Sequence, residues 1–208
     1  MKLLIAILLT GFCEAQSPVE RPFFSNSAVF VYGGKVSCSP DGQNTVQVIQ
    51  LKDDNFTSAV KIIVSGREVH EQIKFGLNAQ VLWSPDSSAF ALTGSDTGAS
   101  GQYWTDVFVL NDKRTHQIPI TPIVQRAFRH PAKCEVPESP NVVAVDWLKP
   151  SVRLLVGVQV INHSVCADAG RFRAYEIDLK TKRILHSYGE PEAKQLFGKS
   201  LGEWLLKP

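Results

Sequence analysis

Along most of this chain, apolar and polar residues alternate in short runs bounded by turn-forming clusters. The runs 45–51, 59–64, 68–73, 89–92, 104–110, 115–120, 152–161, 172–179 and 183–188 are rich in Val, Ile, Thr and aromatic residues. They have the period of two that puts one face of a strand in a core. Polar stretches such as Leu110-Asn111-Asp112-Lys113-Arg114-Thr115 and Leu179-Lys180-Thr181-Lys182-Arg183 separate them and predict hairpins. The pattern changes only at the two ends. Leu3 to Leu9 is unbroken apolar sequence, and Leu196, Phe197, Leu201, Trp204 and Leu205 recur every three or four residues. The latter spacing predicts a short amphipathic helix over about 191–206, weakened by Gly198 and Gly202 and docked on the core.

The strand runs belong to a repeat. Val36-Ser37-Cys38-Ser39-Pro40-Asp41-Gly42-Gln43 aligns with Val81-Leu82-Trp83-Ser84-Pro85-Asp86-Ser87-Ser88, and a third copy, Val145-Asp146-Trp147-Leu148-Lys149-Pro150-Ser151, has lost the Asp. Ser-Pro-Asp ends a strand because proline has no N–H for the ladder, while Asp with Gly or Ser forms the turn that follows. Each copy is followed by three further strand runs. The expected fold is therefore all-β: three propeller-like, four-stranded antiparallel blades over about 35–75, 79–120 and 141–190, followed by the short C-terminal helix. Tyr32-Gly33-Gly34-Lys35 reads as a hairpin turn, without the length or the Ser or Thr of a phosphate-binding loop.

The stretch 83–92, with Asp106-Val107-Phe108-Val109-Leu110-Asn111 and Tyr175-Glu176-Ile177-Asp178-Leu179, resembles the WD40-like, TolB-type propeller repeat of periplasmic and secreted bacterial proteins. The resemblance covers roughly residues 28–190. It implies a blade architecture and leaves activity open, because the family includes binding scaffolds, translocation accessories and domains attached to hydrolases. Three blades are fewer than the four to eight that usually close a ring. The edges would then be covered by the terminal segments, by a second copy completing a six-bladed ring, or by an open sheet stack.

Lys2, the apolar core and Cys13-Glu14-Ala15 before Gln16 have the form of a secretory signal peptide, residues 1–15, which predicts a secreted or periplasmic product of residues 16–208 folded as one domain. The apolar run is shorter than the roughly 20 residues a membrane helix needs, so no integral membrane segment is expected. Lipid anchoring through Cys13 is disfavoured by bulky Phe12, where a lipoprotein signal has a small residue. The formal charge is +2, with no basic run longer than Lys182-Arg183, so a nucleic-acid partner is not expected. Of the cysteines beyond residue 15, Cys134 and Cys166 lie in polar, loop-like stretches and are the expected disulfide. Cys38 falls in a strand and is expected to be a small buried thiol. No Cys or His spacing suits a metal, and no cofactor is expected.

Two stretches carry candidate chemistry. Asp96-Thr97-Gly98-Ala99-Ser100, with Leu154-Leu155-Val156-Gly157, is similar to the active-site turn of aspartic proteases, in which a dimer would pair two Asp96 carboxylates. Yet Gly94 and Ser95 stand where apolar strand residues should bury that turn, and Val158 to Ile161 continues as strand where that fold turns into helix. Asp96 is therefore a minor alternative to a plain hairpin. The Pro-rich segment 121–140, read as a long loop, carries Arg126, Arg129, His130 and Lys133 and could bind an acidic surface. The sequence points to a noncatalytic module that binds an unknown protein partner. An aspartic-type hydrolase and a structural envelope protein closing into a dimeric ring are the alternatives.

Overall fold

The computed structural model describes residues 24–31, 35–50, 58–64, 66–68, 73–75, 79–95, 102–111, 114–128, 139–148, 152–162 and 164–206. In chain order these form β1 (Val29–Val31), β2 (Val36–Cys38), β3 (Asn44–Gln50), β4 (Ser58–Val64), β5 (Arg67–Glu68), β6 (Ile73–Phe75), β7 (Ala79–Trp83), β8 (Ala89–Ser95), β9 (Tyr103–Leu110) and β10 (Thr115–Pro119). There follow α1 (Thr121–Ala127), β11 (Asn141–Leu148), β12 (Arg153–Gln159), β13 (Phe172–Asp178), β14 (Arg183–Gly189), α2 (Glu190–Phe197) and α3 (Glu203–Leu206).

The strands make three antiparallel sheets. The first runs β2-β3-β4-β5 with β6 also on β4, the second β1-β7-β8-β9-β10, and the third β11-β12-β13-β14. Each is a meander of sequence neighbours, as the repeat predicts, except that β1 joins the second sheet through Val31↔Ala79. The strands on either side of Tyr32-Gly33-Gly34-Lys35 thus belong to different sheets and do not pair as the expected hairpin.

Alternation decides how the sheets stack. Val46, Val60, Ile62 and Val64 of the first sheet pack on Val81, Phe90, Leu92 and Phe108 of the second. The other face of the second sheet, with Leu82, Ala91, Val107 and Ile118, packs on Val142, Trp147, Leu154, Val156 and Ile177 of the third. The outer face of the third sheet buries Val143, Val145, Leu155, Phe172 and Ala174 under Phe24, Ala193, Leu201 and Leu205. The order is first sheet, second sheet, third sheet, terminal cap. The C-terminal segment docks on the core as expected, but as two helices: α2 ends at Phe197, before Gly198, and α3 begins after Gly202. Leu196 falls outside the buried stripe and is 58% exposed.

Hydrogen bonds at repeat-equivalent positions fix the stacking. The Trp83 indole N–H donates to Ser37 Oγ in the first sheet (2.9 Å), and the Trp147 indole N–H donates to the Leu82 carbonyl in the second (3.0 Å). Ser37 and Leu82 each precede the repeat's aromatic-or-Cys position, so that position reaches back one layer while the residue before it faces forward. The turn after it is built twice over. Ser39 Oγ donates to Asp41 Oδ1 and accepts from the Asn44 N–H, and the Gln43 N–H donates to Asp41. Ser84, Asp86, Ala89 and Ser88 repeat this, and Ser87 Oγ accepts from the Asp41 N–H (3.1 Å), linking one turn to the next. Gly42 and Ser87 occupy the same place with φ of 71° and 61°, where only glycine is free of strain.

Beside this apolar contact, a polar seam also joins the second and third sheets. Thr105 Oγ1 donates to the Val142 carbonyl, the Ala144 N–H donates to Thr93 Oγ1, and the Tyr103 N–H donates to Asn141 Oδ1. These bonds hold β11 across β8 and β9 and set where the third sheet begins.

Trp147→Phe should destabilise the protein by about 1–3 kcal/mol, because it leaves the buried Leu82 carbonyl without that donor. Trp83→Phe should cost less, its acceptor being a rotatable hydroxyl. Urea unfolding of the two variants checks the order; equal costs would mean that the indole bonds do not set the stacking.

Candidate interaction surface

Of the candidate site residues singled out by sequence, Arg126 and Cys166 are among the described residues. Asp96, Arg129, His130, Lys133 and Cys134 lie outside the described residues, as does the predicted signal peptide with Cys13. Arg126 is described, and its setting corrects the expectation of a loop. Residues 121–127 are helical, with Pro122 in the first turn where its missing N–H is harmless, and the Arg126 Nε–H donates to the Pro122 carbonyl (2.8 Å). Beyond the helix, Phe128 is buried and carries the Arg171 guanidinium 4.3 Å from its ring centroid, a cation–π contact that brings this segment to the β12–β13 connection. Cys166 is buried in that connection. There is no free cysteine among the described residues, so Cys38 is not the free buried thiol expected of it. It ends β2 on the side opposite Ser37, facing away from the packed second sheet.

Gly157 has a packing role. It faces the terminal cap, and a Cβ there would meet Phe172 at 3.0 Å and Leu205 at 3.3 Å. The glycine thus leaves room for α3 to close on the third sheet. β12 continues as strand through Val158 but ends at Gln159, two residues short of the expected Ile161.

Most described acids are engaged by nearby donors. Asp41 is held below the usual carboxylate range by the Ser39 hydroxyl and the Gln43 N–H, and Asp178 likewise by the backbone and hydroxyl of Thr181. Asp146 accepts from Ser200 Oγ (2.5 Å), and Asp168 pairs with Arg171 (3.1 Å). Asp106 is the exception in direction: burial raises it, and only the Gln117 amide opposes that. No group of three His, Cys, Asp or Glu able to hold a metal occurs among the described residues.

One surface brings polar, charged and aromatic side chains together, where the outer face of the third sheet emerges from beneath the cap. The register aligns Arg153, Asp178 and Arg183 in one row, and Leu155, Glu176 and His186 in the next. Arg153 Nη1 pairs with Glu176 Oε1 at 3.0 Å, the Tyr188 hydroxyl donates to Glu176 Oε2 at 3.2 Å, and the His186 and Tyr188 rings lie 4.3 Å apart. Burial, with Glu176 beside it, raises the Tyr188 phenol, which keeps it a donor. With both carboxylate oxygens of Glu176 engaged, this is a poor site for a general base and a well-ordered one for recognition. Arg153 and Arg183 are partly or fully exposed, His186 is exposed, and Lys180 and Lys182 flank them in the β13–β14 turn. The bulge opposite Glu176/Ile177 pushes Leu185 out to 47% exposure beside them. Sequence reasoning missed this surface. Alternation puts Glu176 and His186 each on a face, but only the register, shifted by one residue at Leu185, makes them neighbours.

No family model matches the chain, and no characterised protein aligns with it. No helix among the described residues is long and apolar enough to cross a membrane.

Asp41 and Asp106 should give opposite pH signatures. The lowered Asp41 stabilises the fold above the ordinary carboxylate range and loses that contribution as the pH falls through its folded value. The raised Asp106 favours the fold only at acid pH and loses that contribution as the pH rises through its folded value. Asp41→Asn should therefore lower, and Asp106→Asn raise, the unfolding midpoint at neutral pH, both differences shrinking towards pH 3. Melting curves across pH 3–8 test this, and a shift of the same sign in both variants contradicts it.

Proposed function

We propose that this protein is a secreted or periplasmic, noncatalytic binding module whose three sheets are propeller-type blades, and that it recognises a protein partner through the exposed half of its third sheet. The observation that carries this reading is the grid of Arg153, Glu176, Arg183, His186 and Tyr188. Arg153, Glu176, His186 and Tyr188 are held by one another, with half-exposed Arg153 and exposed Arg183 and His186 at the surface around them. Ordering them beforehand lowers the entropy cost of binding, and arginine and tyrosine are the residues that most often anchor protein interfaces. The flanking Lys180 and Lys182 favour an acidic partner surface. The blade reading draws on the repeated turn network and indole bonds, together with the resemblance to WD40-like repeats. Secretion draws on the signal-like residues 1–15, and a Cys134–Cys166 bridge is part of the same proposal.

A photo-crosslinking residue placed at His186 in the native secretory compartment should give a discrete protein adduct that Arg153→Ala reduces at least tenfold, while the same probe at Gln117 should give none. Identical adducts from both positions, or none at His186, contradict the assignment. Acid-pH proteolysis by the purified protein that Asp96→Asn abolishes would replace it with the hydrolase reading.

A further inference from the structure

The repeat makes Ser37, Leu82 and Asp146 equivalent, and each accepts a hydrogen bond from whatever lies on the layer's forward side. For Ser37 and Leu82 the donor is the tryptophan of the next sheet. Asp146 belongs to the last sheet, and its donor is Ser200 Oγ at 2.5 Å. Around that bond residues 24–26 are tied to residues 199–202. Ser25 bridges to Leu201, the Asn26 N–H donates to the Ser200 carbonyl, the Asn26 side-chain amide donates to the Lys199 and Leu201 carbonyls, and the Gly202 N–H donates to the Phe24 carbonyl. Phe24, Leu201 and Leu205 are buried to 1% exposure or less against Val143, Val145, Leu155 and Phe172. Gly157 gives Leu205 room to approach.

We propose that residues 24–26 and 190–206 form a terminator of the sheet array: they occupy the place of a fourth sheet, satisfy the acceptor that such a sheet would use, and keep the third sheet's outer face from associating with another sheet. Apolar burial supplies the larger share of the attachment, and the Ser200–Asp146 bond fixes its register, since one hydrogen bond cannot match three fully buried large side chains. Another copy of the chain would not take this place as well. The side chain that its first sheet would present at the tryptophan position is Cys38, which has neither an indole N–H nor the length to reach Asp146. The array therefore ends at three sheets, and the ring made from two copies is disfavoured because this face is already filled.

The test uses the full chain and two readouts, amide hydrogen exchange and light scattering. The wild type should be a monomer over a wide concentration range. Ser200→Ala should speed exchange of the Leu201, Gly202 and Leu205 amides on the order of tenfold while leaving β12 and β13 unchanged. Leu201→Asp with Leu205→Asp should speed the same amides more than a hundredfold, leave β12 and β13 protected, and raise the solution mass above the monomer. Three results would each overturn the proposal. These are a wild-type multimer, a double variant that stays monomeric with its strands protected, and loss of β12 and β13 protection in step with the cap, which would make the segment part of the third sheet's core.

Discussion

The stacking of the three sheets depends on a single repeated interaction, the indole N–H of one layer donating to the strand of the layer before it. Burying an indole nitrogen without a partner is costly, so each tryptophan admits few placements of its neighbour. Trp83 fixes the second sheet against the first, and Trp147 fixes the third against the second. Apolar packing alone would allow the faces to slide. The indole bond, together with the Asp41–Ser87 bond at the first junction and the Thr105, Thr93 and Asn141 bonds at the second, selects the register in which Val81, Phe90 and Leu92 meet Val46 and Ile62, and in which Leu82 and Ala91 meet Val156 and Ile177.

The same position shows what covers the third sheet. A sheet array has two ends, and each exposes an apolar face that favours association. At the third sheet, the terminal segments bring apolar side chains to the face and a hydroxyl to Asp146. Beyond the cap's edge, where Tyr188 meets Phe197, that face carries Arg153, Glu176 and His186, polar groups that tolerate water. Termination and the proposed binding surface are thus two halves of one sheet face, divided where the apolar residues give way to charged ones.

Among the described residues, several acids and one glycine have structural roles. Asp41 and Asp86 serve turns, Asp146 serves the cap, and Glu176 is held between Arg153 and Tyr188. Gly157, which in sequence resembles part of a protease motif, leaves space under α3.

The sequence by itself determined the local structure. Period-two alternation marked most of the strands, Ser-Pro-Asp marked two strand ends, and self-similarity marked three meanders, because these signals act between residues a few positions apart. Tertiary structure decided what depends on distant partners. It placed β1 in the second sheet, made a helix of residues 121–127 inside a Pro-rich stretch that reads as loop and gave Asp146 its serine. It also brought Glu176 beside His186 through a one-residue bulge. Nothing local encodes these choices, since each is fixed by which face of which sheet had to be buried and by which buried donor still lacked an acceptor.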